Sequence, residues 1–520
     1  MRSSYNHALM SKAPTRWHLT ALFLILALGA ALRFTALGHG IPFALGIDEP
    51  EIMERAVRML NTGDFHPHFF DYPGLYIYVQ FAVACIRFVV GSIGGLWANL
   101  NEAPAAEFYL WGRAVTAALG TATIAFVYLM ARRISPTTGL AAAALFAVQS
   151  LHVRESHFVL TDVPMTFFIT LAGFLTLRAC ERRRVRDCLF VGLAVGAAAA
   201  TKYNGGAAIL LPALAVLLAP GTWGWRVRAI TLVSITAGVA FLLCAPYTVL
   251  ALPEFLNAFA YLANMYADGA APVEPPWLTY TKHLRNNFSI PALVFAGGGV
   301  ALTARAMFSA PSSTSTTVWA MAASFSLVYF WMISEQALVW GRYLLPILPF
   351  LSVLAAGAAV WTAEQVGRRW PERSLTFVTT AALVTLLMAQ PAYNAIGWLG
   401  TVSKVSTNEL AYRWILANIP AGAKVANETR EVLLPAGRYT IEYPHRLIAH
   451  NVEHYQREGV GYLIASSLAF RIAFYVDPPN PLALAAYTDL FRHTEHLVTF
   501  VPSADHPGPE LRVYRVPPVE

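Results

Sequence analysis

The sequence predicts a polytopic α-helical membrane protein that carries a C-terminal α/β domain. Of its 520 residues, 56% are hydrophobic and only 13% are charged, and the mean hydropathy is +0.49. This composition leaves too little polar surface for a soluble globule of this length. Long apolar runs recur up to about residue 391, and helix and strand patterns of a more polar kind follow. We therefore divide the chain into a membrane module, 1–391, and a C-terminal domain, 392–520.

Eleven segments of the membrane module are predicted to cross the bilayer, since a spanning helix needs about 20 mostly apolar residues. The first follows a basic start, but it is longer than a signal-peptide core and lacks a small-residue cleavage site, so we interpret it as a retained span. The predicted spans are 17–37, 109–131, 139–158, 164–180, 188–202, 205–220, 229–248, 290–306, 317–334, 343–362 and 374–391.

Basic residues between the spans predict the orientation. With the N-terminus inside, five clusters fall on the cytoplasmic side: Arg132-Arg133, ERRRVR at 181–186, Arg226/Arg228, Arg305 and GRRWPER at 367–373. These clusters also explain most of the basic excess outside the tail, so nucleic acid is not expected as a partner of this chain of net charge +7. Because the number of spans is odd, residues 392–520 are predicted on the outer face of the membrane.

Residues 72–91, YPGLYIYVQFAVACIRFVVG, do not fit this scheme as a span. They are apolar enough to cross the bilayer, but counting them would place Arg132-Arg133 and nearly every later basic cluster outside. We therefore predict an interfacial or re-entrant segment with Gln80 and Arg87 towards the headgroups. The alternative is that residues 72–91 do cross the bilayer and that one of the eleven predicted spans does not.

The C-terminal domain is predicted from local patterns. TNELAYRWILANIPAGAKV, 407–425, is typical of a helix that is closed by Pro420 and Gly422 and followed by a strand. GYLIAS, 461–466, and LRVYRV, 511–516, alternate as strands do. About 120 residues of this kind are enough for a domain of ordinary size.

Five separate parts of the chain bring charged or polar side chains to the predicted outer boundary of the membrane. The stretch LGIDEPEIMERA, 45–56, opens this set directly after the first span. The other outer loops contribute Arg154, Glu155, His157, Asp162, Lys202, Glu274, Tyr280, Lys282, His283, Glu335 and Arg342. Ionisable groups at membrane depth are costly and commonly mark functional sites. We favour a functional role for Asp48, Asp162, Lys202 and Arg342.

Structural roles stay open for the neighbouring charges. Glu51 and Glu54 fit the solvated face of a short helix that begins after Asp48, where acidic residues suit the helix dipole. Arg154 and Glu155 fit an interfacial salt bridge as well as a site, so we keep them, with Tyr280 and His283, as secondary candidates.

A metal triplet is a further alternative. His66, His68 and Asp71 in HPHFFD offer metal-ligating side chains, but a proline between two histidines in a loop is a weak pattern. We therefore do not assign a metal to this triplet from the sequence.

The order of several motifs resembles the GT-C superfamily of polyprenyl-phosphosugar-dependent glycosyltransferases. These are IDEP, YPGLYIY, WGRAVTAALGTATIAFVYLMARR, TDVPMTFF, GLAVGAAAATKYNG and WGRYLLPILPF, over about 20–360. The branch with bacterial protein O-mannosyltransferases and the aminoarabinose transferase of lipid A is most similar, and the tail looks like the outer domain of many bacterial members. No single motif is specific for the superfamily, but the order and spacing of the motifs are specific for it.

This resemblance implies an enzyme that transfers a hexosyl or pentosyl group from a polyprenyl-phosphate donor to a hydroxyl of a glycan, lipid or protein on the outer leaflet. By matching motifs, Asp48 is implied as catalytic base with Glu49 beside it, and Asp162 as the second-loop aspartate. Lys202 and Arg342 are implied as contacts of the donor phosphate. The chain departs from its relatives at 72–75, where YPGL replaces HPPL or KPPL and a basic donor contact is absent.

The residues suit this chemistry independently. Displacing polyprenyl phosphate turns a phosphodiester of charge about −1 into a leaving group near −2, which nearby cations stabilise. The attacking hydroxyl loses a proton that a carboxylate can accept, and crowding with Glu49 is expected to make Asp48 a better base. No cofactor is required by the resemblance; a divalent metal, Mg²⁺ or Mn²⁺, between Asp48 and Asp162 is an alternative.

Two rival functions share these features. A transporter or flippase of a lipid-linked sugar also needs buried charges and a lipid groove, but paired repeats and charges at helix centres are expected there. A sensor would bind glycan through the C-terminal domain and use the spans only as an anchor. Substitution of Asp48 separates the three functions, because only sugar transfer depends on a base.

Overall fold

The computed structural model describes residues 16–46, 48–268, 274–370, 373–435, 437–475 and 479–518. The chain forms two compact units. The first consists of Met1–Leu37 and Asp48–Ile396, and the second of Gly38–Ile47 and Gly397–Glu520. The predicted class, a polytopic helical membrane protein with a C-terminal α/β domain, is confirmed.

In the residues that the structure describes, the first unit contains helices and loops but no strand. Its helices are α1 Arg16–Phe34, α2 Glu49–Thr62, α3 Leu75–Ile93, α4 Ala105–Ala131, α5 Pro136–Ala147, α6 Ser150–Glu155, α7 Asp162–Arg182, α8 Val185–Thr201, α9 Leu210–Leu218, α10 Trp223–Cys244, α11 Tyr247–Leu250, α12 Leu252–Asp268, α13 Pro276–Phe288, α14 Ile290–Ser309, α15 Thr314–Ser334, α16 Leu348–Arg369 and α17 Arg373–Val402. Short 3₁₀ segments, Leu100–Glu102, Tyr203–Ile209 and Gly341–Ile347, precede α4, α9 and α16.

Within the described residues, nine helical segments are long and apolar enough to cross a membrane. They contain α1, α3, α4, α7, α10, α14, α15, α16 and α17. The predicted spans 188–202 and 205–220 correspond to shorter elements, the 17-residue α8 and a 3₁₀ segment followed by the nine-residue α9.

The single helix predicted over 139–158 does not form. Helix α5 ends at Ala147, Gln149 is extended, and α6 contains only six residues. The cause lies far away in sequence: the fully buried Arg33 donates from Nη1 to the carbonyl of Ala147 at 2.9 Å. Its other terminal nitrogen contacts His152 Nδ1 at 3.1 Å, on the far side of the break. The distant guanidinium thus satisfies a carbonyl that the helix end leaves free.

Helix α3 covers the segment that was predicted to lie in the interface. Its 19 residues and its composition would suffice for a span. However, Tyr76, Gln80 and Arg87 contact Thr116, Gly112 and Glu107 in that order, so α3 runs antiparallel along the first turns of α4. The side chains of Gln80 and Arg87 are buried against α4, and Arg87 pairs with Glu107 at 2.6 Å. The interfacial placement stays a prediction.

The second unit contains a five-stranded mixed sheet in the order β2-β1-β3-β5-β4. Strand β1 pairs in parallel with β2 and β3, whereas β5 pairs antiparallel with β3 and β4. The strands are β1 Lys424–Asn427, β2 Thr440–Glu442, β3 Tyr462–Ser466, β4 Glu495–Phe500 and β5 Leu511–Arg515, and the helices are α18 Thr407–Asn418, α19 Val452–Arg457, α20 Ser467–Phe474 and α21 Pro481–Arg492. Short 3₁₀ turns lie at Glu428–Arg430 and Leu447–Ala449. The predicted helix at 407 and the strands at 461 and 511 are confirmed.

Candidate active site

Four of the predicted site residues meet in one largely buried ion cluster, formed by Asp48, Asp162, Lys202 and Arg342, of which Asp48 and Arg342 stay partly exposed. The Lys202 ammonium donates to Asp162 Oδ1 at 2.7 Å. Arg342 donates from Nη2 to Asp48 Oδ2, and its Nε lies 3.6 Å from Asp162 Oδ2. Asp162 and Lys202 are 1% and 5% exposed. Two carboxylates and two cations therefore balance each other in a desolvated site, where such pairs interact strongly.

Local backbone structure presents each member of the ion cluster. Asp48 is the residue before α2, but its carboxylate does not cap the helix and is left for Arg342. Asp162 is the first residue of α7, and Lys202 follows the last residue of α8 in an extended conformation. The chain can turn after Lys202 because residue 205 is a glycine: a Cβ there would lie 2.3 Å from the carbonyl oxygen of Ala198.

Three tyrosines that the sequence analysis did not select as site residues, Tyr72, Tyr266 and Tyr343, lie at or next to the ion cluster. The hydroxyl of Tyr72 lies 3.5 Å from Asp48 Oδ2, in the YPGL motif that lacks the expected basic residue. The Lys202 ammonium lies 4.4 Å from the ring centroid of Tyr343 and 5.7 Å from that of Tyr72. Tyr343 in turn shares a 2.8 Å hydrogen bond with Tyr266 of α12. Burial and the Asp48 charge raise the pKa of Tyr72, so this phenol stays protonated.

Glu49 lies next to Asp48 in sequence but forms a separate ion pair with Arg113. Its two oxygens accept from Arg113 Nε at 2.8 Å and Nη2 at 2.6 Å, and the amide of Val159 donates to it at 2.8 Å. Arg113 also donates to the carbonyl of Leu37 at 3.0 Å. Glu49 and Arg113 are 0% and 1% exposed. The expected crowding of Asp48 by Glu49 therefore does not arise, because Arg113 neutralises Glu49.

The secondary candidates lie around the segment that presents Arg342. The imidazole of His283 lies 3.1 Å from the place where a Cβ of Gly341 would be, and Tyr280 on the same helix is fully buried. Arg154 and Glu155 pair with each other at 2.6 Å, as the salt-bridge alternative predicted. Burial and the Arg154 charge lower the pKa of His283.

The residues do not favour the predicted Mg²⁺ or Mn²⁺ between Asp48 and Asp162. Both carboxylates already have cationic partners, Arg342 and Lys202, so the site has no net negative charge for a divalent ion. We derive no step through a metal. Of the described residues, a different group has metal-ligand geometry: His66, His68 and Glu254, with Glu254 in place of the Asp71 that the HPHFFD pattern suggested.

The membrane module has a fold similar to that of solved GT-C glycosyltransferases, as the sequence resemblance predicted. The sequence model of the dolichyl-phosphate-mannose-protein mannosyltransferase family matches residues 110–249, about a quarter of the chain. No curated protein matches the chain in sequence. The family match and the fold both fit transfer of a sugar from a lipid-linked donor.

Solved structures with the same fold are distant in sequence. ArnT from Cupriavidus metallidurans bound to undecaprenyl phosphate is 14% identical, with a TM-score of 0.57 over 97% of this chain and 98% of that one. The oligosaccharyltransferase of Archaeoglobus fulgidus tethered to an acceptor peptide is 13% identical, with a TM-score of 0.52 over 95% and 74%. The complex of the Archaeoglobus fulgidus enzyme with an inhibitory peptide and a dolichol-phosphate is 12% identical, with a TM-score of 0.52 over 95% and 74%.

Proposed function

We propose that the protein is an inverting glycosyltransferase that moves a sugar from a polyprenyl-phosphate donor to an acceptor hydroxyl on the outer face of a bacterial inner membrane. The buried ion cluster is the observation that carries this proposal. Its four members come from four distant parts of a membrane module and include both a base and cations. The acceptor hydroxyl belongs to a glycan, a lipid or a protein.

Lys202 and Arg342 bind the donor phosphate in this proposal. Their charges stabilise the leaving phosphate more than the bound diester, since the charge on the leaving group approaches −2 as the bond to the sugar breaks. Burial strengthens this effect, because water does not screen the interaction. Two of the similar structures were solved with lipid phosphates, undecaprenyl phosphate and dolichol-phosphate, which agree with this class of donor.

Asp48 serves as the base. Its Oδ2 accepts a hydrogen bond from Arg342, so this oxygen is not available to the acceptor hydroxyl in this arrangement. A donor phosphate that recruits Arg342 would release this oxygen for the acceptor hydroxyl. The acceptor oxygen then attacks the anomeric carbon opposite the phosphate, the bond from that carbon to the phosphate oxygen breaks, and the proton passes to Asp48. Asp162 keeps Lys202 in place, and donor binding is expected to precede acceptor activation.

Replacement of Asp48 by Asn tests the proposal. This change keeps the size of the side chain but removes the proton acceptor, so transfer should fall by about 10²- to 10⁴-fold, the usual contribution of a general base. Binding of the donor should stay near normal, because the cations remain. The measurement is transfer from a labelled polyprenyl-phosphosugar in reconstituted vesicles, together with donor binding.

Glu51→Gln is the matched control. Glu51 lies on the first turn of α2, three residues from Asp48, but it pairs with Arg55 at 2.6 Å and is partly exposed. Its replacement should leave transfer unchanged. Full activity of Asp48→Asn would show that Asp48 is not the base, and substrate transport that persists without any sugar transfer in the wild type would favour the transporter instead.

A further inference from the structure

Outside the ion cluster, two histidines and a glutamate from distant parts of the chain meet on the first unit. His66 and His68 lie in the loop that follows α2, and Glu254 lies in the first turn of α12. One potential ligand atom from each lies within 4.8 Å of the others. The two imidazole centroids are 3.9 Å apart, and His66 Nε2 lies 3.6 Å from Glu254 Oε2.

An ordinary ion pair explains this arrangement poorly. His66 is 8% exposed, and its Nε2 is buried without a hydrogen-bond partner in the described structure. The 3.6 Å separation from Glu254 is too long for a hydrogen bond. The rings of Tyr247 and Phe70 enclose the imidazole at centroid distances of 4.3 and 5.9 Å, so water has little access. A buried polar atom without a partner is costly unless a ligand satisfies it.

We propose that His66, His68 and Glu254 form a zinc site that fastens α12 to the loop after α2. Two imidazole nitrogens and one carboxylate oxygen are a ligand set typical of zinc, with water in the fourth position. In a tetrahedral site with bonds of about 2.1 Å, neighbouring ligand atoms lie about 3.4 Å apart. The 3.6 Å between His66 and Glu254 is already close to that value.

Asp64 supports the ring of His68. Its Oδ2 accepts from His68 Nε2 at 2.9 Å, and its Oδ1 accepts from the amide of His66 at 2.9 Å. The other nitrogen of His68, Nδ1, is thereby left for the metal. A carboxylate that holds the second nitrogen of a metal-bound imidazole is a common arrangement, because it fixes the tautomer and the ring orientation.

Zinc binding requires one local change. The amide of His68 donates to His66 Nδ1 at 3.0 Å, so a neutral His66 carries its proton on Nε2. Zinc takes the Nε2 position, the imidazole proton moves to Nδ1, and the His68 amide turns away. His68 has φ of 48°, which is unfavourable for a residue with a side chain, so this turn also relieves the backbone.

The zinc site would act on the candidate active site through α12. Glu254 lies at the start of this helix and Tyr266 near its end, where Tyr266 hydrogen-bonds Tyr343 beside Lys202. The carbonyl of Tyr266 also accepts from the amide of Ala337 at 2.9 Å. Zinc is therefore a structural ion here, and the inference does not depend on the proposed sugar transfer.

Zinc binding to the full-length protein in detergent tests the site. After removal of metals with a chelator, the wild type should bind one equivalent of Zn²⁺ more than Glu254→Gln or His66→Ala. The affinity of these variants for that equivalent should fall at least 10-fold, since even the loss of a supporting residue costs about 10- to 100-fold. Excess Mg²⁺ should not displace the ion, because Mg²⁺ prefers oxygen ligands.

The double variant His450→Ala/His454→Ala is the matched control. The imidazole rings of His450 and His454 also stack, with their centroids 3.9 Å apart, but no carboxylate completes a metal-ligand group with them in the described structure. The control should bind zinc like the wild type. Equal zinc binding by wild type and Glu254→Gln, an equal loss in the control, or displacement by Mg²⁺ would each overturn the proposal.

Hydrogen exchange provides a second measurement on the same samples. Zinc should slow exchange in α12 of the wild type and leave α12 of Glu254→Gln unchanged. Exchange in α12 that is the same with and without bound zinc would contradict the fastening role, even if the metal binds.

Discussion

Lys202 and Arg342 differ from Asp48 in what their loss should do, because the donor phosphate is charged both before and during the reaction. We expect Lys202→Ala and Arg342→Ala to weaken donor binding about 10- to 100-fold, the worth of one hydrogen bond to a charged group, and to lower turnover as well. Titration of each variant with a labelled polyprenyl-phosphosugar, next to the transfer assay, separates these effects.

Lys282→Ala is the control for these two substitutions. Lys282 is also a cation of the first unit, but it is exposed and pairs with Glu274 at 2.6 Å. Its replacement should leave donor binding unchanged. Unchanged donor binding in Lys202→Ala and Arg342→Ala would remove these residues from the phosphate site, although Asp48 could still be the base.

At the residue scale, the ionisable residues of the site could be predicted from their residue types. The ion-pair partner of each residue could not be predicted. Asp48, Asp162, Lys202 and Arg342 could be selected because ionisable groups at a membrane boundary are costly. Arg113 was visible at the start of the second predicted span, and a buried cation needs a partner, yet nothing in the sequence chooses Glu49 over Asp48 for it. Tyr72 lies in the YPGL motif, for which the sequence analysis noted only that the basic residue of the relatives is absent.

At the element scale, the Glu49–Arg113 pair joins three segments of the first unit. Glu49 begins α2, Arg113 lies near the start of α4, and Val159 precedes α7, whose first residue is Asp162. The pair therefore holds the two segments that carry the aspartates of the ion cluster. We propose that Glu49, which the resemblance placed beside the base, positions Asp48 and takes no part in the chemistry.

Substitutions of this pair test its positioning role. Loss of one partner from a buried ion pair commonly costs about 3 to 5 kcal/mol, because the other charge stays buried without compensation. Glu49→Gln and Arg113→Met should each destabilise the protein, and the double variant should be less damaged than the sum of both. The measurement is thermal inactivation and transfer activity of all three variants, with Glu274→Gln, which breaks the exposed Glu274–Lys282 pair, as a control.

If the pair only positions Asp48, the pH dependence of the remaining activity should not change in these variants. A shift of that profile in Glu49→Gln would instead assign Glu49 a proton-transfer role. Strictly additive effects of the two single changes would show that the pair is not energetically coupled.

The elements that the sequence predicted well are those with local causes. Helix α18 begins where the Ser406 hydroxyl accepts from the amide of Glu409, a local cap that the sequence contains. The break after Ala147 has no proline or glycine to signal it and depends on Arg33, which lies 114 residues earlier. A contact of that separation cannot be deduced from a window of apolar residues.

At the scale of the whole molecule, the second unit is expected to fold by itself. It has its own sheet, and two buried apolar clusters pack against it. Residues 397–520 should therefore unfold in one cooperative transition. Their stability should be somewhat below that of the unit in the chain, because the amide of Leu433 loses its 2.8 Å bond to the carbonyl of Phe43.

Part of the pH dependence of this transition should come from Glu431, and part from Glu428, whose pKa is also raised by burial. Burial raises the pKa of the Glu431 carboxyl to about 7, although Asn408 and Thr429 donate to it. Between pH 4.5 and 7 the folded state then holds a proton that the unfolded state has lost, so stability falls as pH rises through this range, by at most about 3 kcal/mol. Glu431→Gln should flatten the profile, and the exposed Glu453→Gln should not. Stability that rises from pH 5 to 7, or a fragment without a cooperative transition, would contradict these expectations.

The orientation of the first unit is the prediction on which the site of the reaction depends. Thr62 is the last residue of α2, the helix that follows Asp48 on the predicted periplasmic side, whereas Arg184 lies in a basic turn between α7 and α8 on the predicted cytoplasmic side. Both positions are exposed, so a cysteine at either one can be labelled wherever the reagent has access.

In a background without Cys85, Cys180, Cys188 and Cys244, an impermeant maleimide applied to spheroplasts should label position 62 and miss position 184, and permeabilisation should expose both. Labelling of position 184 but not of position 62 in intact spheroplasts would reverse the orientation and place the ion cluster on the cytoplasmic side. Labelling of both positions before permeabilisation would mean that the chain between residues 62 and 184 crosses the membrane an even number of times, contrary to the predicted span count.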